Sequence, residues 1–154
     1  MKQVLIVEDQ RMPRKYMERM ISDSKKYTLA ASISGADIAL AYCRRQPIDL
    51  ILMDVCTAGS KDGIEAAAEI KAEFPSIKII AVTSMVEVSF LERAKAAKVD
   101  SFWYKDISPE ELIDVIDRTM AGEHLFPHET PKVQLGLATS TDLTAKEIQV
   151  LRLV

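Results

Sequence analysis

The 154-residue sequence has only two cysteines, Cys43 and Cys56, and no run of about 18 apolar residues that would cross a membrane. Two isolated cysteines indicate neither a disulfide framework nor a zinc site. The chain begins at Met1 without the apolar segment and cleavage site of a secretory signal peptide. These absences predict a protein of the reducing cytoplasm that has no membrane partner.

The chain also lacks a strong charge of either sign, because its formal net charge is −3. This balance argues against strong nucleic-acid binding by these residues alone, since such binding depends on neutralising phosphates with lysine and arginine. Hydrophobic residues make up 48% and charged residues 28% of the chain, which is ordinary for a soluble globular protein. The length permits one well-buried core with a short appendage.

Strand-like and helix-like patterns alternate five times along the sequence. Apolar runs predict strands at residues 4–7, 28–33, 49–53, 77–82 and 101–104. Helical patterns follow at residues 12–21, 36–45, 63–74, 86–97 and from 108 onwards. Alternating units of this kind predict an α/β fold, in which helices cover both faces of a parallel sheet.

Two of the helices carry specific expectations. In the first, Met12, Tyr16, Met20 and Ile21 recur at helical spacing and are expected to form the buried stripe. In the fifth, Ser108 precedes a proline and two acids, so we expect it to be the N-cap. Serine is favoured at an N-cap because its hydroxyl accepts a bond from an otherwise unpaired backbone N–H.

Polar residues stand at the carboxyl ends of four predicted strands. In chain order they are Glu8 and Asp9, Asp54, Thr83, and Lys105. In a parallel sheet these ends meet at one edge, where ligands bind. Carboxylates brought together there repel one another unless a cation joins them, and oxygen-only ligands favour Mg²⁺. A lysine and a hydroxyl beside them suit a phosphoryl group, so the pattern indicates a site that places phosphate on a carboxylate.

Those residues, in that order and at that spacing, resemble the receiver domain of two-component response regulators over roughly the first 120 residues. The resemblance implies a flavodoxin-like, doubly wound sheet of five parallel strands in the order 2-1-3-4-5, with five flanking helices. It implies that a histidine kinase donates a phosphoryl group to Asp54, and that the chain is a switch rather than an enzyme. The implied cofactor is Mg²⁺, held by Glu8, Asp9, Asp54 and the backbone carbonyl of Cys56.

The resemblance also assigns roles around the acceptor. Thr83 and Lys105 are expected to contact the phosphoryl group, and Phe102 stands three residues before the lysine, at the position of the switch aromatic. Helix 4, strand 5 and helix 5 are then expected to repack, which would control homodimerisation or release of a DNA-binding domain. Four apolar side chains are expected to form the dimer surface: Phe90, Leu91, Phe102 and Trp103.

Simpler interpretations of the same residues stay open. Asp54, the Glu8-Asp9 pair and Thr83 are also suited to capping the helices that follow them. For the whole chain, one alternative is a pseudo-receiver that acts by protein contact alone, and another is a phosphatase with an aspartyl nucleophile. Such a phosphatase usually has a second aspartate two residues after the nucleophile, where this chain has Cys56. Cys56 is otherwise expected to be an ordinary buried thiol.

The sequence departs from the receiver pattern in two places. The loop at residues 55–63 lacks the usual proline and is one residue longer, so we expect it to be more mobile. Asp106 stands where many receivers have a proline in a cis peptide. A trans peptide is expected here, because a cis bond before aspartate would cost about 2.5–4 kcal/mol.

The sequence changes character after residue 120. Residues 1–120 are predicted to be the receiver, and 121–140, which hold glycines and prolines without periodicity, a linker. Residues 141–154 contain a capping box, Thr144 with Glu147, and resemble the opening of the LuxR-type helix-turn-helix domain of the NarL/FixJ class. No recognition helix follows, so we expect a shortened form of a longer regulator, of which only the full-length protein binds DNA.

Overall fold

Five parallel strands form one sheet in the computed structural model, which describes residues 1–57, 59–105, 108 and 111–127. They are β1 (Lys2–Val7), β2 (Tyr27–Ile33), β3 (Leu50–Asp54), β4 (Lys78–Thr83) and β5 (Ser101–Tyr104). Their order is β2-β1-β3-β4-β5, which confirms the predicted flavodoxin-like topology. All residues of β3 are buried because helices cover both of its faces, and this explains its unbroken apolar sequence.

Helices pack on both faces of this sheet. They are α1 (Arg11–Ser24), α2 (Ala39–Arg45), which follows a 3₁₀ turn at Ala36–Ile38, α3 (Gly63–Glu73), α4 (Val88–Ala96) and α5 (Leu112–Met120). α1 and α5 contribute to the core on one face, and α2, α3 and α4 contribute to the core on the other. None of the helices in the described ranges is long and apolar enough to cross a membrane.

The buried stripe of α1 differs from the predicted one. Met17 and Ile21 are buried, whereas Met12 is 83% exposed and Tyr16 is 56% exposed. Met12 and Tyr16 each lie one position, about 100° of helix rotation, away from the buried stripe. The prediction for these two residues was wrong because several apolar side chains crowd α1 and local spacing alone did not identify the stripe that faces the sheet.

The start of α5 also differs from its prediction. The helix begins at Leu112, and its N-cap is Glu111, which makes no side-chain capping bond. Ser108 instead closes the turn after β5, because its hydroxyl accepts a bond from the Tyr104 N–H at 3.0 Å. The expected position of Pro109 in the first turn lies outside the described residues, as does the peptide bond before Asp106.

The loop between β3 and α3 is held by local bonds in its described part. Thr57 accepts a bond from the Ala36 N–H at 3.0 Å, and the Gly63 N–H donates to the Val55 carbonyl at 2.8 Å. A Cβ atom on Gly63 would lie 2.1 Å from the carbonyl oxygen of Asp54, so only glycine fits there. The close approach of α3 therefore depends on the residue type at position 63.

Residues 123–127, which the sequence placed in a linker, lie beside the edge strand β5. The Phe102 N–H donates to the Leu125 carbonyl at 2.8 Å, and the Leu125 N–H donates to the Ser101 hydroxyl at 3.1 Å. We call residues 123–127 the strap. The remainder of the predicted linker and the predicted helical segment at 141–154 lie outside the described residues.

Candidate functional site

The site lies at the carboxyl edge of the sheet, where the ends of four strands meet. Glu8 follows β1, Asp54 ends β3 and Thr83 ends β4, while Lys105 follows β5. One carboxylate oxygen from each of Glu8, Asp9 and Asp54 lies within 4.8 Å of the other two. The strand order accounts for this cluster, because β1 and β3 are neighbours at the point where the order reverses.

Two of the three acids are removed from solvent. Glu8 is 0% exposed and Asp54 is 5% exposed, whereas Asp9 is exposed. The Lys105 ammonium lies 2.5 Å from a Glu8 oxygen and 3.6 Å from an Asp54 oxygen. The second Glu8 oxygen accepts a bond from the Gln10 N–H at 3.1 Å. Lys105 therefore pairs mainly with Glu8 and compensates Asp54 less well.

The electrostatics of Asp54 follow from this arrangement. Burial raises the pKa of its carboxyl to about 7, Lys105 acts against that rise, and Glu8 adds to it. The backbone N–H of Cys56 donates to Asp54 and favours the charged form. The ionised Asp54 carboxylate is thus short of compensating positive charge in the protein alone.

The donor set fits a hard divalent cation. All three clustered side chains are carboxylates, and Mg²⁺ prefers oxygen ligands while keeping several waters. An exposed Asp9 beside two buried acids leaves one side of the cluster open to solvent, where such waters would lie. The residues present therefore suit Mg²⁺ better than a softer metal, which would require nitrogen or sulfur ligands.

The capping alternative is wrong for the acids. The N-cap of α1 is Gln10, with no side-chain capping bond. The N-cap of α3 is Asp62, whose side chain accepts a bond from the Glu65 N–H at 2.8 Å. Neither Asp9 nor Asp54 therefore serves a helix end, and their convergence needs another explanation.

Thr83 does not cap a helix either, because the N-cap of α4 is Glu87. Thr83 is buried, and its hydroxyl accepts a bond from the Met85 N–H at 3.1 Å. The Lys105 N–H donates to the Thr83 carbonyl at 2.9 Å. The two predicted phosphoryl contacts therefore come from adjacent strands that are joined by a backbone bond.

Phe102 points into the core and is 3% exposed, with its ring centroid 5.0 Å from that of Tyr104. The other three side chains expected to form a dimer surface are also buried: Phe90, Leu91 and Trp103. The expectation that these four residues offer an exposed apolar patch was wrong. They complete the two cores because α4 and α5 pack closely on the sheet around β5.

Cys56 was expected to be buried, and this was wrong because its side chain is exposed. Its sulfur lies 3.3 Å from the Met85 sulfur. Partial desolvation, followed by the charge of Asp54, raises the pKa of the Cys56 thiol, so the thiol is not activated. The buried cysteine is Cys43.

Sequence reasoning missed an ion pair beside the site. Arg93 on α4 lies 2.6 Å from an oxygen of Asp62, the N-cap of α3. Asp62 and Glu65 form a reciprocal capping box, and their spacing is a readable signal for it. No local signal could have identified Arg93, which lies 31 residues away in the chain.

Comparison with known proteins places these residues in context. Residues 4–117 match the family described as response regulator receiver domain. Response regulator protein VraR from Staphylococcus aureus is 30% identical over 156 aligned residues, which cover 98% of this chain and 74% of VraR.

Two solved structures of response regulators are also similar to this chain. The structure described as a DNA-binding response regulator of the LuxR family, from Staphylococcus aureus, has a TM-score of 0.72 and 27% identity, and the match covers 78% of this chain and 99% of that one. The isolated REC domain of RcsB from Salmonella enterica serovar Typhimurium, determined with phosphomimetic BeF3-, has a TM-score of 0.74. Its identity is 18%, with 82% of this chain and 94% of that one covered, so this likeness supports the fold alone.

Proposed function

The chain belongs to the response regulator receiver domain family, and we propose that it accepts a phosphoryl group on Asp54 from a histidine kinase. Its LuxR-family relatives support a role in two-component regulation of transcription. The observation that carries the proposal is a buried Asp54 whose carboxylate lies among two further acids and 3.6 Å from the Lys105 ammonium.

The chemistry assigned to Asp54 is nucleophilic. One carboxylate oxygen forms a bond to phosphorus, while the bond from phosphorus to the donor imidazole nitrogen breaks and its electron pair stays on the imidazole. Glu8, Asp9, Asp54 and the Cys56 carbonyl would hold Mg²⁺, which when bound supplies positive charge near the carboxylates and the incoming phosphoryl oxygens.

Lys105 and Thr83 are assigned to the product state. A phosphoryl group on Asp54 adds about two negative charges and new acceptor oxygens. Lys105 is already within 3.6 Å of Asp54, so a small movement away from Glu8 brings its ammonium to those oxygens. The Thr83 hydroxyl is the acceptor in its bond with the Met85 N–H, so its own hydrogen is available to donate.

The proposed output is a rearrangement of α4, β5 and α5 that includes Phe102. This rearrangement would control homodimerisation or the release of a DNA-binding domain in the full-length protein. A precedent for assembly on DNA is the structure of two RcsB dimers bound to two parallel DNAs. The receiver family acts generally as a switch rather than an enzyme, and Cys56 stands where an aspartyl phosphatase has its general acid.

Incubation with acetyl phosphate and Mg²⁺, followed by intact-mass analysis, tests the acceptor. The parent chain should gain the mass of one phosphoryl group, Asp54→Asn should gain none, and the exposed control Asp23→Asn should behave like the parent. Equal labelling of Asp54→Asn and the parent would show that another residue is the acceptor. No labelling of the parent would favour a pseudo-receiver that acts by protein contact.

A further inference from the structure

The strap, residues 123–127, is bonded to β5 through main-chain and side-chain groups. The Leu125 carbonyl accepts a bond from the Phe102 N–H at 2.8 Å. The Leu125 N–H donates to the Ser101 hydroxyl at 3.1 Å, and that hydroxyl is 2.7 Å from the Thr119 hydroxyl on α5. Because Ser101 and Thr119 are both 0% exposed, this junction is shielded from competing water.

The strap is also fixed to α5 and to the turn before β5. The Glu123 N–H donates to the Arg118 carbonyl at 3.0 Å, and the two side chains form an ion pair at 2.8 Å. A ring nitrogen of His124 lies 3.0 Å from the Asp100 carbonyl oxygen. Each of the first three strap residues therefore has a defined partner.

Side chains of the strap reach both faces of the sheet. Leu125 packs against the core that contains α5, and Phe126 packs against the core that contains α4 and Phe102. The Lys95 ammonium on α4 lies 5.5 Å from the centre of the Phe126 ring. Consecutive side chains thus alternate between faces, as in an added edge strand, and the strap joins α4, β5 and α5.

The geometry points to a latch, and we infer that the strap is bound to β5 before phosphorylation and is released from β5 after it. The inference rests on the proposed function. The strap is bound in an arrangement in which Lys105 contacts Glu8 and the Thr83 hydroxyl accepts from Met85. Movement of Lys105 toward Asp54 would pull on the end of β5, and movement of Thr83 on β4 would reach β5 through the bond from the Lys105 N–H to the Thr83 carbonyl. The Phe102 N–H of β5 holds the strap.

Release would have a direct consequence for the rest of the chain. Residues 128–154 follow the strap immediately, so the strap fixes where this C-terminal segment leaves the receiver. Freeing residues 123–127 lengthens the tether by five residues, or roughly 17 Å at full extension. A phosphorylated receiver would then hold its C-terminal segment less closely.

Amide hydrogen exchange by NMR tests the latch in the full 154-residue chain. With Mg²⁺ and beryllium fluoride, exchange at the Phe102 and Leu125 amides should become at least tenfold faster. The Asp49 amide, bonded to the Gln3 carbonyl at 2.9 Å elsewhere in the sheet, should be unchanged. Unchanged or slower exchange at Phe102 and Leu125, in a sample whose Lys105 amide signal reports binding, would overturn the latch and leave the proposed function intact. Absence of binding at Asp54 would overturn both.

A second test follows from thermodynamic linkage. If the bound phosphoryl mimic weakens the attachment of the strap to β5, the attached strap must weaken binding of the mimic by the same factor. Leu125→Ala should lower the beryllium fluoride concentration needed for half-saturation by about fivefold or more, within the usual range of coupling. Leu40→Ala, which removes another partly buried leucine on α2, should leave it unchanged. An affinity for Leu125→Ala equal to that of the parent, or weaker, would contradict the latch.

Discussion

Lys105 lies between two buried carboxylates and offsets their charges unequally. Its ammonium contacts Glu8 at 2.5 Å and leaves Asp54 at 3.6 Å. The sequence identified all three residues from their places at strand ends. It did not predict that Lys105 pairs with Glu8, because the reach of a lysine depends on side-chain geometry that a linear pattern does not contain. The roles of these residues in phosphoryl transfer stay predictions.

The uncompensated charge on Asp54 should destabilise the fold when no divalent ion is present. In EDTA at neutral pH, Asp54→Asn should raise the free energy of unfolding by roughly 1–3 kcal/mol, because each tenfold change in proton affinity corresponds to about 1.4 kcal/mol. Urea denaturation measures this difference. The exposed control Asp114→Asn should change stability by less than about 0.5 kcal/mol. A destabilised Asp54→Asn would show that Asp54 is already well compensated.

Divalent ions should stabilise the folded chain by mass action, because only folding brings the three acids within 4.8 Å of one another. Saturating Mg²⁺ at about 100 times its dissociation constant corresponds to about 2.7 kcal/mol. Asp9→Asn should reduce the rise in melting temperature, whereas Asp23→Asn on α1 should retain it. The same Mg²⁺-dependent rise in Asp9→Asn as in the parent would exclude Asp9 as a ligand.

At the scale of helices and strands, the sequence predicted the strands well and the helix faces less well. β5 has the predicted bounds, since a short apolar run between polar residues has one natural extent. The exposed Met12 and Tyr16 of α1 were misplaced because hydrophobicity alone does not report which stripe meets the sheet. The contact of residues 123–127 with β5 was not predicted, because it uses the backbone of Phe102 and Leu125 and the Ser101 hydroxyl, and no local pattern pairs these groups.

The cap of α3 should contribute more to stability than the ion pair it makes with α4. Asp62→Ala removes both the bond from the Glu65 N–H and the ion pair with Arg93, and the cap alone should account for about 0.5–2 kcal/mol of the loss. Arg93→Ala removes only the partly exposed ion pair, which should be worth about 0.2–1 kcal/mol. Chemical denaturation of both variants compares the two losses. Their difference measures the cap, and a difference smaller than the Arg93→Ala loss would mean that the contact between helices, and not the cap, dominates.

At the scale of the whole molecule, the alternation of strands and helices predicted a parallel sheet covered on both faces. The strand order, which brings the acids together, was implied by the resemblance to receiver domains and is the order observed. The surface was not predictable to the same degree. Phe90, Leu91, Phe102 and Trp103 are core residues, and large apolar side chains are exposed elsewhere, including Val88 on α4. Which face meets a partner depends on exposure, which composition does not specify. The start of a helix-turn-helix domain expected at 141–154 lies outside the described residues and stays a prediction.

Self-association should increase when the phosphoryl mimic is bound, through α4, β5 and α5. Sedimentation velocity with Mg²⁺ and beryllium fluoride should show a dimer that Val88→Glu weakens, because a charge would enter the apolar contact. The matched change Met12→Glu, at an exposed apolar position that lies on α1 and not on α4, should leave the dimer intact. Loss of the dimer in Met12→Glu with retention in Val88→Glu would move the interface to α1.

A crystal structure of the chain with Mg²⁺ and beryllium fluoride would test the central claim most directly. We predict a beryllium bonded to a carboxylate oxygen of Asp54, a Mg²⁺ ion among Glu8, Asp9 and Asp54, and the Lys105 ammonium moved from Glu8 to a fluoride. Beryllium fluoride bound away from Asp54, or a metal ion that none of these acids contacts, would contradict the claim that this cluster is the phosphoacceptor site.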